Sequence, residues 1–238
     1  MGGRGASSSR GGSGGGGGIT SLDDSGNFSQ MQQYFQDKYG VPVNSSVGTL
    51  PRDAQQAYLG GIDSALSEYP GLASTITDVR VEAPARGRRS GSLVGAQANM
   101  GTGVISINPK ASNISSFDAS SVKRLTTHEV GHLLESRIAR EKWKNSDAAL
   151  RAMRAHDVAG SAVVAAADKA GARTIKARKN ALRSISYYAS AGGNGEAFAE
   201  AFADTVVNKN NAKPLSKAIM GEVSEYTKHL KHGGNAKK

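Results

Sequence analysis

The sequence predicts an α+β fold, mostly helical, with a small mixed sheet beside one long helix. Apolar residues recur at helical spacing over most of the chain, whereas alternating strand-like runs are confined to residues 75–108. A third observation is compositional. Hydrophobic residues make up 38% of the 238 residues and aromatics only 5%, so one core built on Ala, Val, Leu and Ile is expected. Residues 1–18 hold ten of the 30 glycines and have too little apolar surface to bury. They are expected to form a flexible Gly/Ser-rich arm, followed by one domain over residues 19–232 and a basic tail at 233–238.

The elements follow in order. Residues 28–39 place Phe28, Met31, Tyr34 and Phe35 at helical spacing, and Gly40 with Pro42 stops that helix. A second helix is expected over 51–69, with Pro51 as its first helical residue and Pro70-Gly71 as its end. Residues 75–82 alternate in the manner of a strand. Residues 92–99 and 104–108 read as two more strands, joined as a hairpin through Met100-Gly101-Thr102-Gly103. Residues 118–140 make the strongest helix. A Ser or Asp near 118–121 can cap it, and Val122, Leu125, Val130, Leu133, Leu134 and Ile138 lie largely on one face. Residues 148–183 read as one or two helices broken near Gly160 and Gly171. Asn194 is expected to cap a helix over 195–207, and a last helix is expected over 215–230.

Several chemistries are excluded at once. The chain has no cysteine, which removes disulfides, Fe–S clusters, Cys-based zinc fingers and a thiol nucleophile. It has no apolar run long enough for a transmembrane helix and no apolar N-terminal stretch of the secretory kind, so membrane partners are not expected. The net charge of +10 favours contact with acidic surfaces or nucleic acid.

The chemistry concentrates in His128-Glu129-Val130-Gly131-His132, an H-E-x-x-H pattern inside the strongest helix. Residues four apart share a helix face, so both imidazoles can point at one Zn²⁺ ion. Glu129 follows the first histidine and can act as general base toward a water at that ion. A catalytic zinc needs a third protein ligand. Ile138 stands where an extended H-E-x-x-H-x-x-G-x-x-H pattern would place a third histidine, and the remaining histidines are His156, His229 and His232. A carboxylate is therefore expected, and Glu196 and Glu200 offer two on one helix face. One can ligate the ion, and the other can hold a ligating histidine through its second nitrogen.

These two motifs, with the Tyr-Ala segment between them, resemble the gluzincin zinc metallopeptidases. The pattern is similar to that of the anthrax lethal factor catalytic domain and of metallopeptidases encoded in phage and prophage structural-gene regions. The resemblance covers about residues 96–207. It implies a zincin-like fold, zinc-dependent hydrolysis of peptide bonds in a protein or peptide substrate, and a cytoplasmic or virion-associated location. His128, His132 and Glu196 would bind the metal, Glu129 would be the base, and Glu200 would stand behind a ligating histidine. It also implies a tyrosine aimed at the oxyanion, for which Tyr188 matches better than Tyr187. Finally, it implies a substrate-binding edge strand beside the active helix, with residues 104–108 at the core of that sheet.

Two alternatives stay open at this point. Residues 169–183 carry six basic residues and no acid, and Arg86, Arg88 and Arg89 form a second cluster. These would suit a phage virion or DNA-packaging component with a zincin scaffold, partnered by phage structural proteins. Nucleic-acid recognition is not favoured, because no nucleic-acid fold motif accompanies the charge. A delivered toxin-like protease domain is the other alternative.

Overall fold

The computed structural model describes residues 20–82, 95–110, 118–144 and 147–231, with the backbone alone for 148–156. The expected arm (1–18), the basic cluster at 86–89, the first residues of the second strand (92–94), His232 and the tail (233–238) lie outside the described residues.

Helix α1 (Phe28–Tyr39) starts at a capping box, in which Asn27 and Gln30 satisfy each other's backbone N–H groups, and ends at Gly40. It buries Met31, Tyr34 and Phe35. Helix α2 (Arg52–Glu68) follows Pro51, which sits at the cap position in extended geometry, so the first helical residue is Arg52 and not the expected proline. A 3-10 turn over Pro70–Thr75 takes up the start of the first expected strand, leaving β1 as Asp78–Val81.

The hairpin forms as β2 (Ala96–Asn99) and β3 (Val104–Ile107). The sheet order is β1-β3-β2, with β1 parallel and β2 antiparallel to the central β3. The two outer edges differ. The β1 edge is covered by the chain at Val43, where Asn44 N–H donates to Val79 O (2.8 Å) and Val79 N–H donates to Pro42 O (3.2 Å). On β2, Gly95 and Asn99 accept hydrogen bonds from the β3 side, so Ala96 and Ala98 turn their backbone groups to the outer edge.

Helix α3 (Ala119–Lys142) is capped by Asp118, whose carboxylate accepts from Ser120 N–H (3.2 Å) and Ser121 N–H (3.1 Å). It packs between α2 and the later helix over Asn194–Asn208, and β2 lies along it. Helix α4 (Ala148–Lys169) runs through Gly160 without a break. One helical glycine costs only about 1 kcal/mol, and the buried Val158, Ala159, Ala162, Val163 and Ala166 around it outweigh that. The break falls at Gly171, and α5 spans Ile175–Leu182. After α6 (Tyr187–Ala191), α7 spans Asn194–Asn208. Its cap is Gly193, whose φ of 94° a side chain would strain, and Asn194 is the first helical residue instead of the expected cap. The expected last helix is two, α8 (Pro214–Glu222) and α9 (Ser224–Lys231), separated at Val223. The fold is thus α+β and mostly helical. Among the described residues, no helix is long and apolar enough to cross a membrane.

The α2–α3 contact depends on the absence of a side chain at Gly61. A Cβ there would lie 1.9 Å from Thr126 Oγ1 and 2.4 Å from the carbonyl oxygen of Lys123. At Gly60, one residue earlier, the nearest atom would be Leu22 Cδ2 at 3.9 Å, an ordinary contact. Gly60→Ala is therefore expected to add up to about 1 kcal/mol of stability through helix propensity. Gly61→Ala is expected to remove about 2 kcal/mol through overpacking. Urea denaturation of the two variants checks this, and equal midpoints would contradict the close α2–α3 crossing.

Candidate metal centre

The centre lies where α3 crosses α7. Gly131 permits the crossing, since a Cβ at that position would lie 2.9 Å from Ala199 Cα and 3.2 Å from both Ala199 Cβ and a Phe202 ring carbon. Phe198 and Phe202 are fully buried and anchor the α7 side. The close approach lets Glu196, in the first turn of α7, reach the two histidines of α3.

The three expected ligands converge. His128 Nε2 lies 3.2 Å from His132 Nε2 and 3.0 Å from Glu196 Oε2, and His132 Nε2 lies 3.6 Å from the same oxygen. Ligands about 2.0–2.1 Å from a tetrahedral ion lie roughly 3.3–3.4 Å from one another. The observed spacings bracket that value, so the His128–His132–Glu196 group could hold a metal ion.

The outer nitrogens of both imidazoles face carboxylates. His132 Nδ1 is 3.3 Å from Glu135 Oε1, and His128 Nδ1 is 3.1 Å from Glu200 Oε1, near enough for ion pairing but off the line of an N–H···O bond. With a metal ion at the shared centre, the ring proton of each histidine would sit on Nδ1, toward these carboxylates, and the Nε2 lone pair would face the ion. In a metal-free site the protonated Nε2 atoms of both imidazoles face the Glu196 carboxylate instead. Glu200 is itself gripped by Arg124, one helical turn before His128, and lies beside the Ser186 hydroxyl.

The titration behaviour has the same origin. Burial alone would lower both histidines, but the carboxylates of Glu196 and Glu200 hold His128 up at about 9, and those of Glu135 and Glu196 hold His132 up at about 10. Burial would raise Glu196 and Glu200. The histidines overcome it, with Arg124 helping at Glu200, so Glu196 sits far below the usual carboxylate range and Glu200 at about 2.

Glu129 is buried beside the group, and burial pushes its carboxyl up. Its Oε2 accepts the outward N–H of Ala98 on β2 at 2.7 Å, which ties this carboxylate to the outer side of β2. The Tyr188 ring lies 5.9 Å from the His128 ring, and burial with the Glu196 carboxylate nearby raises its phenol to about 12. Tyr187 turns away to solvent, with the Arg183 guanidinium over its ring at 6.0 Å. His229 bonds Glu141 (2.8 Å), so it takes no part in the centre.

Two contributing residues escape a motif reading. Glu135 lies three residues beyond His132 and Arg124 four before His128, both spacings that share a helix face. The signal was there, but only with a metal-centred helix face in mind. Compared with family models, curated proteins and solved structures, the chain matches none.

The buried pairs set a pH profile for chelator-treated protein. His128 and His132 keep their protons to higher pH in the fold than in the unfolded chain. Their contribution is complete below 6.5 and is lost as pH rises toward 9 to 10. The contribution of Glu196 and Glu200 is complete above 4.5 and is lost as pH falls toward 2. Stability in urea is expected to be greatest between these limits, and a midpoint that climbs steadily to pH 9 would contradict the pairing. Arg124→Ala is expected to weaken metal binding by about 10–100-fold with the helical circular dichroism retained. Competition with a fluorescent chelator measures that change.

Proposed function

We propose that the protein is a zinc-dependent endopeptidase of the gluzincin type, with a zincin-like domain. The observation that carries this reading is the convergence of two imidazole Nε2 atoms and one carboxylate oxygen, each histidine backed by its own carboxylate, beside an unused buried glutamate. A His₂Glu donor set suits catalytic zinc, which keeps its fourth position for water or substrate. Zinc, when bound there, supplies Lewis acidity and makes water nucleophilic near neutral pH.

The chain's own groups supply the rest. An extended peptide can lie along the β2 edge, where Ala96 and Ala98 present backbone groups outward. That edge brings a scissile carbonyl alongside α3. Glu129 Oε takes a proton from the attacking water and gives it to the leaving amine nitrogen, a role favoured by a carboxyl raised toward neutrality. The Tyr188 phenol stays protonated at working pH and can donate to the oxyanion. Glu200 and Glu135 keep the two histidines in one tautomer throughout.

Protein dialysed against zinc is expected to bind one ion per chain, and His132→Ala or Glu196→Ala is expected to lose it. Glu129→Gln keeps the Ala98 hydrogen bond and the ligands, so it is expected to retain the ion while peptide-library cleavage falls by about 10²–10⁴-fold. Tyr188→Phe is expected to lower kcat by about 10²-fold with little change in KM. A native protein that binds no zinc, or a Glu129→Gln variant that cleaves as well as native, would overturn the reading.

A further inference from the structure

The segment leading into the centre has an unusual surface. No acidic residue occurs between Asp168 and Glu196, while six basic residues do. Two of the six are bound within the fold: Arg178 makes two hydrogen bonds to Asp168 (2.8 and 3.1 Å), and Lys169 pairs with Glu222 (2.6 Å). Arg173, Lys176, Lys179 and Arg183 are exposed and make no ion pair among the described residues. Lys176, Lys179 and Arg183 stand at i, i+3 and i+7, on one face of α5 and its cap. Lys176 lies in the first turn, where the helix dipole disfavours a cation.

The same segment exposes apolar surface. Among the described residues, four large hydrophobic side chains are exposed, and three of them lie here: Ile175 (75%), Tyr187 (74%) and Tyr188 (53%). Arg183 lies over the Tyr187 ring, and the next residue, Tyr188, lies against His128, so the segment ends beside the candidate metal ligands.

We propose that α5 and the start of α6 form a recognition surface for an acidic stretch of polypeptide substrate. Lys176, Lys179 and Arg183 would meet its carboxylates, and Ile175 and Tyr187 the apolar side chains between them. The proposal rests on the peptidase reading for what happens next door, but not for the binding itself. Polypeptide suits the surface better than nucleic acid on two grounds. Ile175 neither stacks on a base nor pairs with a phosphate. The neighbouring centre presents the carboxylates of Glu129 and Glu196, which disfavour a continuous polyanion. A peptide can carry neutral backbone into the centre and keep its acidic residues on α5.

The test uses the full chain and three fluorescent probes in anisotropy titrations. They are a Glu/Leu-rich 16-residue peptide, its Lys-for-Glu counterpart and a single-stranded 16-nucleotide DNA. The acidic peptide is expected to bind at least about tenfold more tightly than the basic one, with affinity falling as salt rises. Lys176→Glu/Lys179→Glu/Arg183→Glu, exposed positions that leave the core untouched, is expected to abolish that preference while cleavage of a neutral peptide is unchanged. Equal binding of the two peptides, an unaffected triple variant, or DNA that binds more tightly than the acidic peptide and displaces it would each overturn the proposal. Loss of all peptide cleavage with the acidic preference intact would overturn the peptidase reading alone.

Discussion

The structure turns on the contact between α3 and α7 at Gly131. With a glycine there, the two helix backbones come within reach of each other, and Ala199 presents only a methyl group in return. A longer side chain at either position would move α7 outward and carry Glu196 off the histidines. Close packing on the other flank of α3, at Gly61, fixes the helix from behind. The helix bearing both histidines is therefore clamped between two side-chain-free contacts. The ligand atoms, 3.0–3.6 Å apart, all stand on these two packed helices and not on a loop. Such rigidity is what a preorganised site requires.

Electrostatics complete the argument. Four carboxylates, those of Glu129, Glu135, Glu196 and Glu200, gather around two imidazoles with Arg124 as the cation at their margin. Burying that much negative charge is costly unless positive charge enters the centre. Two protons on the histidines do so, which is why both titrate far above the usual imidazole range. A divalent cation supplies the same charge at one point. A metal ion held by His128, His132 and Glu196 would replace those protons, and its affinity would rise with pH as they leave.

Much of this was legible in the sequence, for a definite reason. His128 and His132 are four apart and so are Glu196 and Glu200, so helical periodicity alone puts each pair on one face. The strand pattern likewise located the hairpin, because Gly103 and Asn99 close it locally. What the sequence hid was set by packing. Gly160 looked like a helix breaker, but a buried alanine- and valine-rich face carries α4 through it. Asn194 looked like a cap, but the chain turns at Gly193 with positive φ and needs no side-chain cap there. The stretch from 215 to 230 kept one periodicity, yet it divides at Val223, and α9 turns to pack on the Pro70–Thr75 turn. Arg124 and Glu135 were invisible because a charged residue on a helix is ordinarily a solvated one.

The two edges of the sheet are the last link between fold and chemistry. A three-stranded sheet has two edges, and an open edge is a place where another strand can add. Here the chain itself occupies the β1 side through Pro42, Val43 and Asn44. Among the described residues no strand pairs with β2 on its outer side, and one of its outward groups, the Ala98 N–H, is bonded to Glu129. On the proposed peptidase reading, a strand added at β2 would lie beside Glu129, the residue proposed to move a proton. Covering the wrong edge is as much a part of positioning the centre as assembling the ligands.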